Sequence, residues 1–120
     1  MATILIVEDD QELQTLMQLV LKRLGHEVYS SLNGVDALYQ TSHYKPDLVI
    51  LDLMMPWASG DAVLGFIRST ENLKKTRVLV ISAHPNGAEL AHQLDADGFL
   101  AKPVDMDMFT RSVARLLAAQ

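Results

Sequence analysis

The sequence contains no cysteine among its 120 residues. Disulfides, thiolate catalysis and cysteine-based zinc sites are therefore excluded, and the absence fits the reducing cytoplasm that we expect as the location. An excess of positive charge is also lacking, since the formal net charge is -5. We therefore expect no direct binding to nucleic acid and no electrostatic attraction to anionic membranes.

Long hydrophobic runs are missing as well, because Asp52 interrupts the longest apolar stretch well short of a membrane span. The N-terminal stretch MATILIVEDD has no basic region before its short apolar segment, so it predicts a first strand and not a secretion signal. Linkers, low-complexity segments and sequence repeats are not found. With 49% apolar and 21% charged residues, the chain is typical of one globular domain over residues 1–120, without an effector domain.

Short apolar runs rich in β-branched residues alternate along the chain with apolar residues at helical spacing. The predicted strands cover residues 4–7, 27–30, 48–51, 77–82 and 98–100. Each is followed by a predicted helix, and the fourth helix is short, from about residue 86 to 94. This (βα)5 pattern predicts an α/β fold with a mostly parallel sheet and helices on both of its faces.

The first predicted helix has an apolar face with spacings of three and four residues. Its members are Leu13, Leu16, Met17, Val20, Leu21 and Leu24. Asp9 or Asp10 can cap the start of this helix and Gly25 can end it, while Asp105 is the predicted cap of the last helix.

Polar residues gather where the strands end, which is the edge at which open α/β sheets bind ligands. They are Glu8, Asp9 and Asp10 after the first strand, Asp52 after the third, Ser82 after the fourth, and Lys102-Pro103 after the fifth. Two carboxylates about 4 Å apart repel by about 4 kcal/mol at an effective dielectric near 20, so such a cluster raises a pKa or recruits a cation. Carboxylates favour Mg²⁺. An aspartate, a divalent cation, a lysine and a hydroxyl together can accept a phosphoryl group.

Four pieces of the chain resemble the receiver domain of two-component response regulators, the CheY-like superfamily. They are ILIVEDD, PDLVILDLMMP with Gly60 beyond it, VLVISA, and GFLAKPVD. Their order and their places at the strand ends match, and the resemblance covers essentially the whole chain. It implies a flavodoxin-like three-layer sandwich with a five-stranded parallel sheet of order 2-1-3-4-5.

The resemblance also implies a role for each residue of the acidic edge. Asp52 is expected to be the phosphoacceptor, and Lys102 is expected to contact the phosphoryl group. Glu8 and Asp9 would form the pocket for Mg²⁺ (or Mn²⁺) together with Asp52, with Asp9 the more direct ligand of the two. The backbone carbonyl of Met54 would be a further ligand.

A second group of residues is implied to respond to phosphorylation. Ser82 is expected to be the switch hydroxyl and Phe99 the switch aromatic, and the Lys102–Pro103 peptide bond is expected to be cis. Phe99 has no hydroxyl, so any switching at this position relies on packing alone. The segment from Ser82 to Lys102 is slightly shorter than usual in the family, and Asp95 stands where glycine is common.

Each of these residues also has a simpler interpretation. Asp52 could cap the following turn, Ser82 could be an ordinary strand-end hydroxyl, and Asp10 fits the first turn of a helix, where the dipole favours acids. Trp57, in the loop after Asp52, could contact a partner or could pack over its own loop. The joint match favours the functional interpretation of Asp52.

The expected donor is a histidine kinase or a histidine phosphotransfer protein, and the expected output is contact with an unknown downstream protein, with a homodimer left open. The alternative is a receiver-like interaction module that works without phosphorylation, but no acidic or lysine position has been lost. A metal-dependent phosphatase would need a second acid where Met54 stands. A flavodoxin-like cofactor binder is disfavoured because strand one leads into acids and not into a phosphate-binding loop.

Overall fold

The computed structural model describes residues 1–55 and 59–119. Five parallel strands form one sheet in the order β2-β1-β3-β4-β5. The elements are β1 (Thr3–Val7), α1 (Gln11–Arg23), β2 (Glu27–Ser31), α2 (Gly34–Tyr44), β3 (Leu48–Asp52), α3 (Gly60–Ser69), a 3-10 turn (Glu71–Leu73), β4 (Arg77–Ser82), α4 (Gly87–Gln93), β5 (Gly98–Ala101) and α5 (Met106–Ala118). The predicted fold class and strand order are confirmed.

Alternation along the central strands divides the core into two layers, because successive side chains of a strand point to opposite faces. Residues such as Ile4, Ile6, Leu48 and Ile50 pack with apolar residues of α1 and α5. Their neighbours in the strands, among them Leu5, Val7, Val49 and Leu51, pack with residues of α2, α3 and α4. We call these two sides the α1/α5 layer and the α2/α3/α4 layer.

The buried face of α1 differs from the predicted one. Its buried residues are Gln14, Met17 and Leu21, whereas Leu16 and Leu24 are 43% and 56% exposed. The prediction that these two leucines point inward is wrong, because the helix packs through a single stripe and both leucines lie beside it. Where α1 begins, Asp10 is the cap, and its side chain accepts hydrogen bonds from the amides of the second and third residues of the helix.

Helix α4 has seven residues, so the expectation of a short fourth helix is confirmed. Asp95 follows it with a φ of +65°, a conformation that Asp adopts more readily than most residues. None of the helices formed by residues 1–55 and 59–119 is long and apolar enough to span a membrane.

A charged network joins α3 to the edge of the sheet opposite the acidic residues. Arg68 Nη2 lies 2.6 Å from Asp97 Oδ2, which also accepts a hydrogen bond from the Val78 amide at 2.8 Å. Arg68 donates further hydrogen bonds to the carbonyls of Asp95 and Thr76. The network fixes the end of α3 against the starts of β4 and β5.

Candidate functional site

Strand alternation brings three charged residues to the same face of the sheet. Glu8, Asp52 and Lys102 each lie an even number of residues beyond a side chain of the α1/α5 layer, so they project toward that layer. Strands β1 and β3 are direct neighbours, with Val7 opposite Leu51. The two acids are therefore adjacent, and the long Lys102 side chain crosses the end of β4 to reach them.

Lys102 pairs with both acids at once. Its Nζ lies 2.7 Å from Glu8 Oε1 and 3.0 Å from Asp52 Oδ2. Glu8 is fully buried and Asp52 is only 3% exposed. A buried carboxylate is costly unless a cation or hydrogen-bond donors compensate it, and here one ammonium serves two carboxylates.

Burial and neighbouring charges together shift the pKa values of Glu8 and Lys102. Burial raises the pKa of Glu8 to about 7, and the carboxyl groups of Asp52 and Asp9 act in the same direction. Lys102 and the Asp10 amide, which donates to Glu8 Oε2 at 3.0 Å, lower the pKa but do not offset the burial. For Lys102, burial would lower the pKa, yet the two carboxylates together raise it above its ordinary value.

Asp9 completes an acidic cluster with Glu8 and Asp52. One carboxylate oxygen of each lies within 4.8 Å of the others. When all three acids are ionised, Lys102 balances only one of their three negative charges, and two of the three acids are buried. Oxygen ligands at this spacing with an uncompensated negative charge fit a small divalent cation, because the cation would balance the remaining charge.

Backbone groups fix the Asp52 carboxylate from the other side. The Met54 amide donates a hydrogen bond of 2.9 Å to Asp52 Oδ1.

Helix α3 then begins unusually close to the chain after β3. A Cβ placed on Gly60 would lie 2.4 Å from the Asp52 carbonyl oxygen and 2.5 Å from Leu53 Cα. Only glycine allows this approach.

Ser82 and Phe99 lie on the opposite side of the sheet from the acids. Ser82 is buried, and its Oγ accepts a hydrogen bond of 3.0 Å from the His84 amide. The half-buried Phe99 ring lies where α4 begins, with ring atoms 2.9 and 3.0 Å from the Cβ position that Gly87 lacks. Ser82 Cβ lies 3.1 Å from the same position. Within the described part of the chain these two side chains therefore meet at Gly87, and the Ser82 hydroxyl makes no hydrogen bond with the acids.

Two further predicted features flank the site. The Lys102–Pro103 peptide bond is cis, which is the isomer that the resemblance implies. Trp57, for which partner contact and loop packing were both considered, lies outside the described residues.

Gln14 is a buried polar residue that was not predicted from the sequence. This residue of α1 is 2% exposed, and its side-chain amide contacts the backbone at the ends of β1 and β2. A signal existed, because Gln14 lies three and seven residues before Met17 and Leu21 on the buried stripe. A polar residue on such a stripe requires hydrogen-bond partners in the interior.

Comparison with known proteins agrees with this geometry. The family model of the response regulator receiver domain matches residues 4–114. Transcriptional regulatory protein AfsQ1 of Streptomyces coelicolor is 32% identical over 96% of this chain and 52% of that protein. Transcriptional regulatory protein KdpE of Mycobacterium tuberculosis is 34% identical over 99% of this chain and 51% of that protein. The chain thus spans about half the length of these relatives.

Solved structures give the same result. The receiver domain of a signal transduction histidine kinase from Syntrophus aciditrophicus has a TM-score of 0.90 and 27% identity, and the match covers 99% of this chain and 92% of that one. The receiver domain of sensor histidine kinase PA1611 from Pseudomonas aeruginosa has a TM-score of 0.89 and 25% identity over 98% of each chain, and it has a magnesium ion coordinated in its active site cleft.

The chain belongs to the response regulator receiver domain family. It is a signalling domain of the two-component type and not a classical enzyme.

Proposed function

We propose that residues 1–120 form one receiver domain that accepts a phosphoryl group on Asp52 in a reaction requiring a divalent cation. The observation that carries the proposal is the environment of Asp52. Its carboxylate is almost fully buried, receives a hydrogen bond from the Met54 amide and pairs with Lys102, and it lies beside two more acids. Such a group is held in one orientation and is ready to act as a nucleophile.

In the proposed reaction, an oxygen of the Asp52 carboxylate forms a bond to phosphorus while the bond between phosphorus and the donor atom breaks. Met54 and Lys102 keep the carboxylate oriented, and the Lys102 ammonium can then pair with a phosphoryl oxygen. Glu8, Asp9, Asp52 and the Met54 carbonyl would hold Mg²⁺ or Mn²⁺. When bound, the ion would neutralise charge on the transferring oxygens.

The proposed response begins at Ser82. Its hydroxyl would turn from the His84 amide toward the phosphoryl group. The space available beside Ser82 would then differ, and the Phe99 ring would repack against Gly87. Phe99 would form no hydrogen bond of its own. This would alter the surface formed by α4 and β5.

Family membership supports the assignment of partners, since receiver domains work with histidine kinases and downstream effectors. We propose a histidine kinase or histidine phosphotransfer protein as donor, a protein target as output, and the cytoplasm as location. A homodimer is a further proposal, which sedimentation of the unmodified and phosphorylated domain would test.

The central test is labelling with acetyl phosphate and Mg²⁺, measured by intact mass. The wild type should gain one phosphoryl group, and Asp52→Asn should gain none. Asp10→Asn is the matched control. It removes an acid two residues from Glu8, but asparagine caps a helix as well as aspartate does, so labelling should persist. Labelling of the Asp52→Asn variant would show that the acceptor is assigned to the wrong residue.

A phosphorylation-independent interaction module is the less favoured function, because the acidic cluster and its lysine are all present and in contact. Beryllofluoride with Mg²⁺ separates the two functions, with Trp57 as the fluorescent reporter. For a phosphoacceptor, the Trp57 fluorescence should change with ligand concentration and reach a plateau. No change in fluorescence at high ligand concentration would favour the interaction module.

A further inference from the structure

Gln14 is the one polar residue on the buried stripe of α1. A side-chain amide taken out of water destabilises the fold unless its hydrogen bonds are replaced. Leucine or methionine would fill the same volume without that cost. The role of this glutamine therefore lies in the hydrogen bonds that it makes.

Those bonds converge on the chain segment that begins the acidic cluster. Gln14 Nε2 lies 3.0 Å from the Ile6 carbonyl oxygen, 3.3 Å from that of Glu8 and 3.1 Å from that of Ser31. The two amide hydrogens are shared among these three acceptors. The Glu8 amide donates to the same Ser31 carbonyl at 3.0 Å. Gln14 thus joins α1 to the ends of β1 and β2 at the point where Glu8 leaves the sheet.

The Glu8 carbonyl belongs to the peptide group that links Glu8 to Asp9. Gln14 binds the carbonyl oxygen of this peptide group. The Asp10 amide and Lys102 bind the Glu8 carboxylate. The Gln14 amide, 3.3 Å from the Glu8 carbonyl oxygen, is therefore one of the contacts that restrain the direction in which Asp9 leaves Glu8. Glu8 and Asp9 are two of the three acids of the cluster.

We propose that Gln14 is a positioning residue that holds Glu8 and Asp9 in the arrangement needed to bind a divalent cation. The inference rests on the proposed metal-dependent function. Hydrogen-bond partners behind metal ligands commonly change metal affinity by about 10- to 100-fold. Loss of the Gln14 amide should act in that range, because it frees the backbone of Glu8 without removing any acid.

The test compares Gln14→Met with Leu21→Ala. Methionine has nearly the shape of glutamine but donates no hydrogen bond. Leu21 is buried in the same helix and the same layer, two turns farther from the acids. Unfolding in urea would measure how far each variant is destabilised. Mg²⁺ titration, followed by calorimetry and by Trp57 fluorescence, should then show affinity weakened about tenfold or more in Gln14→Met and unchanged in Leu21→Ala.

A milder variant, Gln14→Asn, keeps the amide but shortens its reach, and an intermediate loss of affinity is expected. Equal Mg²⁺ affinity of the wild type and both Gln14 variants would overturn the inference. Equal weakening in Leu21→Ala would overturn it too, because the effect would then follow stability alone. If the wild type itself binds no Mg²⁺, the proposed metal site fails, and the inference fails with it.

Discussion

Alanine substitutions at two glycines of α3 should have opposite effects on stability. Gly60 is the first residue of the helix and is buried, and a Cβ there would lie 2.4 and 2.5 Å from main-chain atoms of Asp52 and Leu53. Atoms at contact are separated by about 3.5 Å, so the backbone must move by about 1 Å. Gly65 lies in the same helix, is exposed, and has no atom within 4 Å of its Cβ position.

The magnitude follows from these distances. Overpacking that moves backbone costs about 1–3 kcal/mol, and at Gly60 both obstructing atoms are main chain, which favours the upper part of that range. Alanine gains at most about 1 kcal/mol over glycine in a helix. We therefore expect Gly60→Ala to lose about 2 kcal/mol net, and Gly65→Ala to gain about 0.5–1 kcal/mol.

Urea denaturation followed by circular dichroism measures the difference. With a slope of about 2 kcal/mol per molar urea, the two midpoints should lie roughly 1.5 M apart, on opposite sides of the wild type. Gly60→Ala should also label more slowly with acetyl phosphate, because the displaced atoms belong to the chain around Asp52. Stability of Gly60→Ala equal to that of the wild type would refute the close approach of α3 to β3.

Three further predictions concern charged groups. Lys102→Met should strengthen Mg²⁺ binding, because it removes a cation that competes for two buried carboxylates, while abolishing labelling; calorimetry and intact mass test both. His26 Nδ1 accepts a hydrogen bond from the Ala2 amide, and burial lowers the pKa of this histidine. The stabilising contribution of His26 should be complete above about pH 6.5 and should fall as the pH drops through the lowered folded-state pKa. The difference in unfolding free energy between wild type and His26→Asn, measured across that pH range, tests this. Asp97→Ala should cost about 2 kcal/mol, because it leaves the largely buried Arg68 without an acidic partner. Lys74 and Glu71 form an exposed ion pair of 3.0 Å, and its loss in Glu71→Ala should cost less than about 1 kcal/mol in the same urea assay.

Much of the site could be predicted because the carboxyl ends of parallel strands meet at one edge. The runs before Asp52 and before Lys102 identify buried strands, so the residues that follow them must lie at that edge. The sheet order that the resemblance implies placed Glu8 and Asp52 on neighbouring strands. The separate roles of Glu8, Asp9 and Asp10 were harder to predict, because either Asp9 or Asp10 could have capped α1.

Other features depend on packing that residue spacing does not specify. Leucines three and four residues apart indicate a helix face but not its width, and Leu16 and Leu24 lie outside the stripe that is buried. Gln14 was missed for the converse reason, because a polar residue looks exposed until the carbonyls it binds are known. The contact of Phe99 with Gly87 is set by the approach of α4 to β5, which no local pattern encodes.

The alternation of β3 has a consequence for how this domain tolerates insertions. One extra residue ahead of Asp52 would turn its carboxylate into the α2/α3/α4 layer, away from Lys102. Two extra residues would restore the face but carry the carboxylate about 7 Å farther along the strand, beyond its partners. Exchanging one apolar residue of β3 for another should leave the site assembled. The length of this strand is therefore constrained more tightly than its composition.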